Sequence, residues 1–150
     1  MPEGFKTAHG IAWGSRREGL LEISYWNLKR KNSLTGLGQN QIAKLVQAAQ
    51  KDTNVKAIFI HGGLFYCSGN DLSVLASGNS MTEEEKEESL VLGAEYRMVN
   101  LLRVLNRSVK PIVALARGQS IGIGFTMMSL FDFIYCSPET TFSTPFMKSC

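Results

Sequence analysis

The chain has 150 residues, of which 44% are hydrophobic and 19% are charged. This composition indicates one folded globular domain, because enough apolar surface is present to offset the chain entropy lost on folding. Sixteen Lys and Arg residues against thirteen Asp and Glu residues give a net charge of +3. That balance argues against nucleic acid binding, which requires a concentrated basic surface.

No segment resembles a membrane span or a targeting signal. The longest uncharged run, between Arg117 and Asp132, is shorter than the roughly 20 apolar residues of a membrane-spanning helix. The first six residues lack the apolar core of a secretory signal, and residues 148–150 do not match the Ser-Lys-Leu peroxisomal signal. The sequence therefore predicts no membrane span and shows no targeting signal.

Cysteine usage is typical of a reducing compartment. The three cysteines, Cys67, Cys136 and Cys150, form no Cys-x-x-Cys pair. An odd count without that spacing argues against a disulfide framework and against a structural zinc site, so no metal site is predicted. Cys67 and Cys136 lie in apolar segments, and we expect both thiols to be buried and inert.

The first half of the chain predicts two strands with a helix between them. Residues 20–26 alternate in polarity and are rich in β-forming residues, which is typical of a strand. Thr35 is placed to cap a helix whose apolar residues recur at helical spacing, namely Ile42, Leu45, Val46 and Ala49. Residues 55–61 are almost wholly apolar, so we expect a strand that is buried on both faces.

The second half predicts helices and strands in alternation. Thr82 begins a capping-box pattern for a helix that ends near Asn106. Residues 111–116 predict another strand that is buried on both faces, residues 125–130 an apolar helix, and residues 132–136 a short strand. Strands that alternate with helices indicate an α/β fold in which helices cover the sheet.

Two segments share one form, in which a buried strand runs into a Gly-containing loop and the chain then turns towards a helix. We name them the first Gly loop (residues 65–72) and the second Gly loop (residues 117–125). Glycine permits a close approach of the backbone to a ligand, and the start of a helix leaves N–H groups unpaired. Two such loops brought together would offer two N–H donors to one developing oxyanion.

The glycines have an alternative interpretation. Gly122 and Gly124 lack the third spaced glycine of a dinucleotide-binding fingerprint, and the chain contains no Gly-Lys-Ser/Thr of a Walker A loop. A purely structural role, in which glycine lets a helix and a strand pack closely, fits the same spacing. The spacing alone leaves the structural role and the oxyanion role open.

Several motifs occur in an order that resembles one family. Residues 68–72, Ser-Gly-Asn-Asp-Leu, resemble the [Ala/Ser]-Gly-x-Asp-Leu element of the crotonase (enoyl-CoA hydratase/isomerase) superfamily. Residues 31–34 are similar to its Lys-x-Asn-Ala-Leu region, with one residue fewer after the Lys, and residues 110–114 to its lead into the second oxyanion loop. Residues 141–146 resemble the Thr-Phe-x-Thr-Pro-Phe of the peroxisomal-type Δ3,Δ2-enoyl-CoA isomerases.

This resemblance implies a fold and a pair of oxyanion donors. The expected fold is an α/β, crotonase-like spiral of stacked ββα units with helices packed on the sheets. Residues 1–150 would form one partial domain of this kind, with the C-terminal part missing. The backbone N–H groups of Ser68 and Ile123 are the implied catalytic donors, which would hold the thioester oxygen of an acyl-CoA and stabilise its enolate.

The resemblance also implies a groove for coenzyme A. The implied substrate-binding residues are Lys31, Asn32, Ser33, Leu34, Ser68, Gly69, Asn70, Asp71, Leu72 and Gly122. The run Lys29-Arg30-Lys31 would meet CoA phosphates, although a solvated basic loop is an alternative for Lys29 and Arg30. No separate cofactor is implied, because coenzyme A enters as part of the substrate.

The implied activity is a shift of a 3-enoyl-CoA double bond to 2-enoyl-CoA in fatty-acid β-oxidation, in the peroxisome or the mitochondrion, by a homo-oligomer, expected to be a trimer in the full-length form. Thr126 stands where hydratases carry one of two catalytic glutamates, so hydration is disfavoured. We expect the general-base Glu beyond Cys150, and little activity from this chain alone. The alternative is a non-catalytic crotonase-like protein that binds acyl-CoA or another partner.

The other candidate bases are expected to be structural. Asp71 belongs to the loop motif and Asp132 opens a strand, where acids commonly accept hydrogen bonds from the backbone. His61 ends a buried strand and has no triad pattern around it. The Ser68 side chain also lacks the partners of a nucleophile.

Overall fold

The computed structural model describes residues 12–71 and 96–145, with side chains from Arg17 onward. The first range contains β1 (Ala12–Arg17), β2 (Leu20–Tyr25), a 3₁₀ helix (Leu28–Arg30), α1 (Gly36–Lys51) and β3 (Ala57–His61). The second range contains α2 (residues 96–106), β4 (Ile112–Ala116), β5 (Gln119–Ile121), α3 (Ile123–Thr126), a 3₁₀ helix (Met127–Leu130), β6 (Phe133–Cys136) and β7 (Thr141–Ser143). The predicted helix start at Thr82 and the predicted site residue Leu72 lie outside the described residues.

A five-stranded sheet organises the described part of the chain. Its strand order is β1-β2-β3-β4-β6, and β5 and β7 form a separate pair. β1 is antiparallel to β2, whereas the pairs β2–β3, β3–β4 and β4–β6 are parallel. Parallel neighbours require crossover connections, and helices α1 and α2 lie within two of them. The predicted α/β fold is therefore confirmed.

The core lies between one face of the sheet and the helices. Thr35 caps α1 as predicted, since its Oγ1 accepts a hydrogen bond from the Gly38 N–H at 3.1 Å. The four predicted apolar positions of α1 are all buried, and they join one cluster with Leu101 and Leu105 of α2. Residues 96–106 are helical, so the predicted helix end near Asn106 is confirmed.

The prediction that two strands are buried on both faces is wrong. In β3 only alternate residues, Ile58 and Ile60, are fully buried. In β4 the core side is buried, but Leu115 on the opposite face is 43% exposed. Among the described residues, the helices cover one face of this sheet, so the apolar composition of these strands overstated their burial.

Strand β6 is more exposed than its sequence predicts. Phe133 lies beside Val113, and Tyr135 beside Leu115, on the face opposite the core. Phe133 is 59% exposed and Tyr135 is 62% exposed. Cys136 is also exposed, which corrects the expectation of a buried thiol. The reason is position: β6 is an edge strand, with β4 as its neighbour within the described sheet.

The exposed apolar face of β6 predicts self-association of the chain. Apolar side chains that stay in water favour a contact that removes them from it. We expect light scattering after size exclusion to give a mass above the monomer, rising with protein concentration. Phe133→Lys should lower that mass, because it replaces an exposed apolar side chain of this face with a charge.

Val109→Lys is the matched control, because Val109 is 83% exposed and precedes β4 rather than lying in the sheet. It should leave the mass unchanged. A wild-type chain that stays monomeric at every concentration would contradict the prediction.

Candidate active site

Three loops meet at one edge of the sheet. β2 leads into residues 27–34, which we name the basic loop, β3 leads to the first Gly loop, and β4 leads to the second Gly loop. Because β2, β3 and β4 are parallel neighbours, their carboxyl ends lie at the same edge. This edge is where ligands bind in open α/β sheets.

Backbone hydrogen bonds join the two Gly loops. The Tyr66 N–H donates to the Arg117 carbonyl oxygen at 2.8 Å, and the Cys67 N–H to that of Gln119 at 3.2 Å. The Ile121 N–H donates back to the Cys67 carbonyl oxygen at 2.9 Å. The two loops therefore lie side by side, as the oxyanion interpretation requires.

Gly122 and Gly124 of the second Gly loop must be glycine for two different structural reasons. A Cβ atom on Gly124 would lie 2.6 Å from the Cβ of Cys67, so only glycine lets the loops approach this closely. Gly122 has a φ of 55°, a left-handed conformation that favours glycine, and its N–H donates to the Ser143 carbonyl oxygen at 2.8 Å. Close packing thus explains Gly124, while Gly122 turns the chain into α3.

Helix α3 begins at Ile123, two residues before the predicted start, and continues as a 3₁₀ helix to Leu130. Ile123 is the first helical residue, so its N–H has no acceptor within the helix. No acceptor for this N–H is present elsewhere among the described residues. The Ile123 donor is therefore available in the structure.

The basic loop lies on the other side of the first Gly loop. The Leu34 N–H donates to the Gly69 carbonyl oxygen at 2.8 Å, and the Asp71 N–H to that of Leu34 at 2.9 Å. The Ser68 N–H donates to the Lys31 carbonyl oxygen at 3.1 Å. The first Gly loop is thus held between the basic loop and the second Gly loop.

The Ser68 N–H, the expected donor of the first Gly loop, takes part in this pairing. It is already bonded to the Lys31 carbonyl oxygen, and the Ser68 Oγ donates to that of Arg30 at 2.9 Å. The Gly69 N–H faces the Cys67 Sγ at 3.4 Å. The Asn70 N–H has no acceptor among the described residues. In the described part of the first Gly loop, the Phe65 N–H at its start and the Asn70 N–H, two residues after Ser68, have no acceptor.

Three expected groove residues have buried side chains. Asn32 is 1% exposed; its Nδ2 donates to the carbonyl oxygens of Gly62 at 2.5 Å and Phe65 at 2.6 Å. Ser33 Oγ donates to Asp71 Oδ2 at 3.2 Å, and the Leu34 side chain lies in the core. These side chains hold the basic loop in place, so any contact of Asn32, Ser33 and Leu34 with a ligand would fall to their backbone.

Two basic side chains are oriented by the Gly loops. Arg30 Nη1 forms an ion pair with Asp71 Oδ1 at 2.7 Å. Lys31 Nζ donates to Gln119 Oε1 at 3.2 Å and lies 5.9 Å from the centre of the Phe65 ring. Lys29 has no partner among the described residues. The alternative of a solvated side chain therefore fits Lys29, whereas the side chains of Arg30 and Lys31 are held at the site.

Every carboxylate in the described part of the chain has a hydrogen-bond or ion-pair partner. The partners are Arg17 for Glu18, His61 for Glu22, the Asn54 N–H for Asp52, Arg30 for Asp71, the Ile112 N–H for Asp132 and Arg117 for Glu139. The structural roles expected of Asp71, Asp132 and His61 are confirmed. Asp71 directly follows Asn70, and its two carboxylate oxygens are bonded to Arg30 and Ser33.

Cys67 is buried, as predicted, beneath the contact between the Gly loops. Burial raises the pKa of its thiol to about 12, against the opposing effect of the Gly69 backbone hydrogen bond. The thiol is therefore neutral near pH 7 and unsuited to nucleophilic attack. In the described residues no group of three His, Cys, Asp or Glu side chains forms a metal site, and no helix is long and apolar enough to cross a membrane.

Comparison with known sequences gives one consistent family. The family model described as Enoyl-CoA hydratase/isomerase matches residues 15–149. Enoyl-CoA delta isomerase 2 of Rattus norvegicus is 30% identical over 128 residues, which are 85% of this chain and 32% of the relative. Enoyl-CoA delta isomerase 3, peroxisomal, of Mus musculus is 27% identical over 131 residues, 87% of this chain and 40% of the relative. The chain thus spans less than half the length of these relatives.

Comparison with solved structures shows the fold. The human enoyl Coenzyme A hydratase domain-containing protein 3 superposes with a TM-score of 0.81 at 19% identity. The superposition covers 93% of this chain and 53% of that chain. The predicted crotonase-like α/β fold is therefore confirmed.

The two described cysteines should differ sharply in reactivity. At pH 9 an ordinary thiol, with a pKa of about 8.5, is mostly thiolate. We expect a thiol reagent to label Cys136 at once, and Cys67 only after denaturation, because burial keeps Cys67 protonated and inaccessible. Mass spectrometry of peptides after labelling measures both sites separately.

The same pKa predicts how stability depends on pH. The folded pKa of Cys67 is raised, so the unfolded chain loses the thiol proton at a lower pH than the folded chain does. The contribution of the neutral Cys67 thiol to the free energy of unfolding is therefore lost as pH rises from about 8.5 towards the folded value of about 12.

In the labelling experiment, Cys136→Ser is the control and should leave the protection of Cys67 unchanged. Rapid labelling of native Cys67 would contradict the account of a buried thiol.

Proposed function

Because this chain belongs to the enoyl-CoA hydratase/isomerase family, we propose that it binds acyl-CoA thioesters and acts in the shift of a 3-enoyl-CoA double bond to 2-enoyl-CoA. The observation that carries the proposal is a pair of backbone donors, Asn70 N–H and Ile123 N–H, that have no acceptor among the described residues and lie on two loops joined by backbone hydrogen bonds. One thioester oxygen between them would accept both hydrogen bonds.

The proposed chemistry is a proton transfer between two carbons of the substrate. A base removes a proton from C2 of the 3-enoyl thioester, and the electron pair moves onto the thioester oxygen as a dienolate. The two N–H groups stabilise the negative charge that develops there. The base then returns the proton to C4, which leaves the double bond between C2 and C3. No separate cofactor takes part, because coenzyme A enters as part of the substrate.

The residues beside the donors favour isomerisation over hydration. Hydration needs two placed carboxylates, one to activate water and one to deliver a proton. Thr126, in α3, has no side chain that ionises near neutral pH, and every described carboxylate has a hydrogen-bond or ion-pair partner. Isomerisation needs one base, which in this proposal is a carboxylate outside the described residues.

The basic loop supplies the proposed contact with coenzyme A. Arg30 is fixed by Asp71, and Lys31 is directed towards Gln119, so both cations lie beside the Gly loops. Cations held in this way suit the CoA phosphates. The resemblance to peroxisomal-type isomerases supports a role in β-oxidation, in the peroxisome or the mitochondrion, with a homo-oligomer, a trimer, as the working form.

A second candidate function is acyl-CoA binding without catalysis. The engagement of all described carboxylates favours it, because binding and polarising a thioester needs the two donors but no base. The two candidates agree on the ligand and differ in turnover, so one substrate separates them.

Removing one N–H tests both candidates. Pro is tolerated at the first helical position, so Ile123→Pro removes the donor and keeps the start of α3. We expect it to weaken binding of 3-hexenoyl-CoA by about threefold to tenfold, the worth of one hydrogen bond. Ile123→Ala keeps the N–H and should bind within about twofold of the wild type. Isothermal titration calorimetry measures all three.

Turnover of the same substrate then distinguishes the functions. Formation of 2-hexenoyl-CoA by a chain extended past Cys150 to include the expected glutamate, lowered about 10²-fold or more in Ile123→Pro, supports the isomerase. Binding without product by that extended chain supports the non-catalytic candidate. Failure of the wild-type chain to bind 3-hexenoyl-CoA would reject both.

A further inference from the structure

An open groove of about 440 Å³ runs between α2 and the helical segment that follows the second Gly loop. The surface of its lining is mostly apolar. The lining residues that matter here are Val99, Leu102, Arg103, Asn106, Thr126 and Leu130. The reaction proposed at the two donors gives no role to the groove residues Arg103 and Asn106.

The inner end of the groove lies on the helix that begins with one of the proposed oxyanion donors, Ile123. Thr126 is three residues after Ile123, in the same short helix. On the opposite wall, Val99 follows Met98, whose Sδ lies 3.7 Å from Asn70 Nδ2. A thioester carbonyl held by the two N–H groups would therefore have the groove at one side.

An acyl-CoA has two parts, coenzyme A and the acyl chain, which extend from opposite sides of the thioester. The surroundings of the first Gly loop indicate where each part would lie. Arg30 and Lys31 lie on the basic-loop side of the first Gly loop, which suits the CoA phosphates. The groove lies on the other side, along α2 and α3, and its inner walls are the apolar side chains of Val99, Leu102 and Leu130. The acyl chain is the part that fits it.

The outer end of the groove carries a cation. Arg103 is four residues beyond Val99 on α2, and Asn106 is seven beyond, which places them about 6 Å and about 10 Å along the helix axis. The Arg103 guanidinium has no partner among the described residues. Arg103 is the one charged side chain among the described residues that line the groove.

We propose that this groove selects acyl chains that carry a carboxylate at the end remote from the thioester, with Arg103 as the specificity-determining residue. This inference rests on the proposed function, because it takes the thioester to be held at Asn70 and Ile123. A chain that ends in a carboxylate gains a charge-assisted hydrogen bond from Arg103, and the Asn106 side-chain amide supplies a further donor. A plain hydrocarbon end would instead meet an unpaired cation and gain nothing from it.

The test compares two thioesters that differ at the remote end. Octanoyl-CoA and octanedioyl-CoA have equal chain lengths, and the second ends in a carboxylate. We expect the wild-type chain to bind octanedioyl-CoA about fivefold more tightly in calorimetric titration, the effect of one partly exposed ion pair. Arg103→Met keeps an apolar stem in the groove and should abolish that preference, while octanoyl-CoA binding stays within about twofold.

Arg107→Met is the matched control, since Arg107 lies on the same wall of the molecule but does not line the groove. It removes the same net charge and should keep the preference. Equal binding of the two thioesters by the wild type, or a preference that Arg103→Met retains, overturns the inference and leaves the proposed function standing. Failure of both thioesters to bind rejects the proposed function and the inference with it.

Discussion

The backbone hydrogen bonds that hold the first Gly loop between its two neighbours determine what this site offers. Cys67 exchanges two backbone bonds with the second Gly loop, and the basic loop bonds to Ser68, Gly69 and Asp71 on the other side. These bonds engage the N–H groups of Cys67, Ser68 and Asp71. Within the described ranges the Asn70 N–H between them has no acceptor, so its availability follows from the pairing of the loops rather than from any side chain.

Close packing makes that pairing geometrically accessible. The backbone of α3 at Gly124 packs directly against Cys67, so a side chain at position 124 would push the second Gly loop away from the first. Asn32 fixes the basic loop from below through two carbonyl oxygens, where an unpaired buried amide would be costly. The structural and functional interpretations of the glycines therefore do not compete, because close packing is what brings the donor loops together.

Local sequence patterns predicted most helices and strands, whereas the hydrogen bonding at the candidate site depends on contacts between residues far apart in the sequence. The cap at Thr35 and the α/β order follow from short-range spacing and were predictable. The occupied N–H of Ser68 depends on a carbonyl 37 residues earlier, at Lys31, which no local pattern encodes. The exposure of Cys136 likewise depends on the position of its strand, β6, at the edge of the described sheet. Strands β5 and β7 have three residues each, too few to show alternation, and were not predicted.

The most direct test of the account is the carbonyl stretching frequency of a bound thioester. Difference infrared spectroscopy with hexanoyl-CoA, labelled with carbon-13 at the thioester carbon, isolates this single bond. Two N–H donors on one oxygen polarise the carbonyl, so the account predicts a lower frequency in the complex than in water, with a smaller shift in Ile123→Pro. A bound thioester whose carbonyl frequency equals that of the free ligand would contradict the central claim that Asn70 and Ile123 form an oxyanion site.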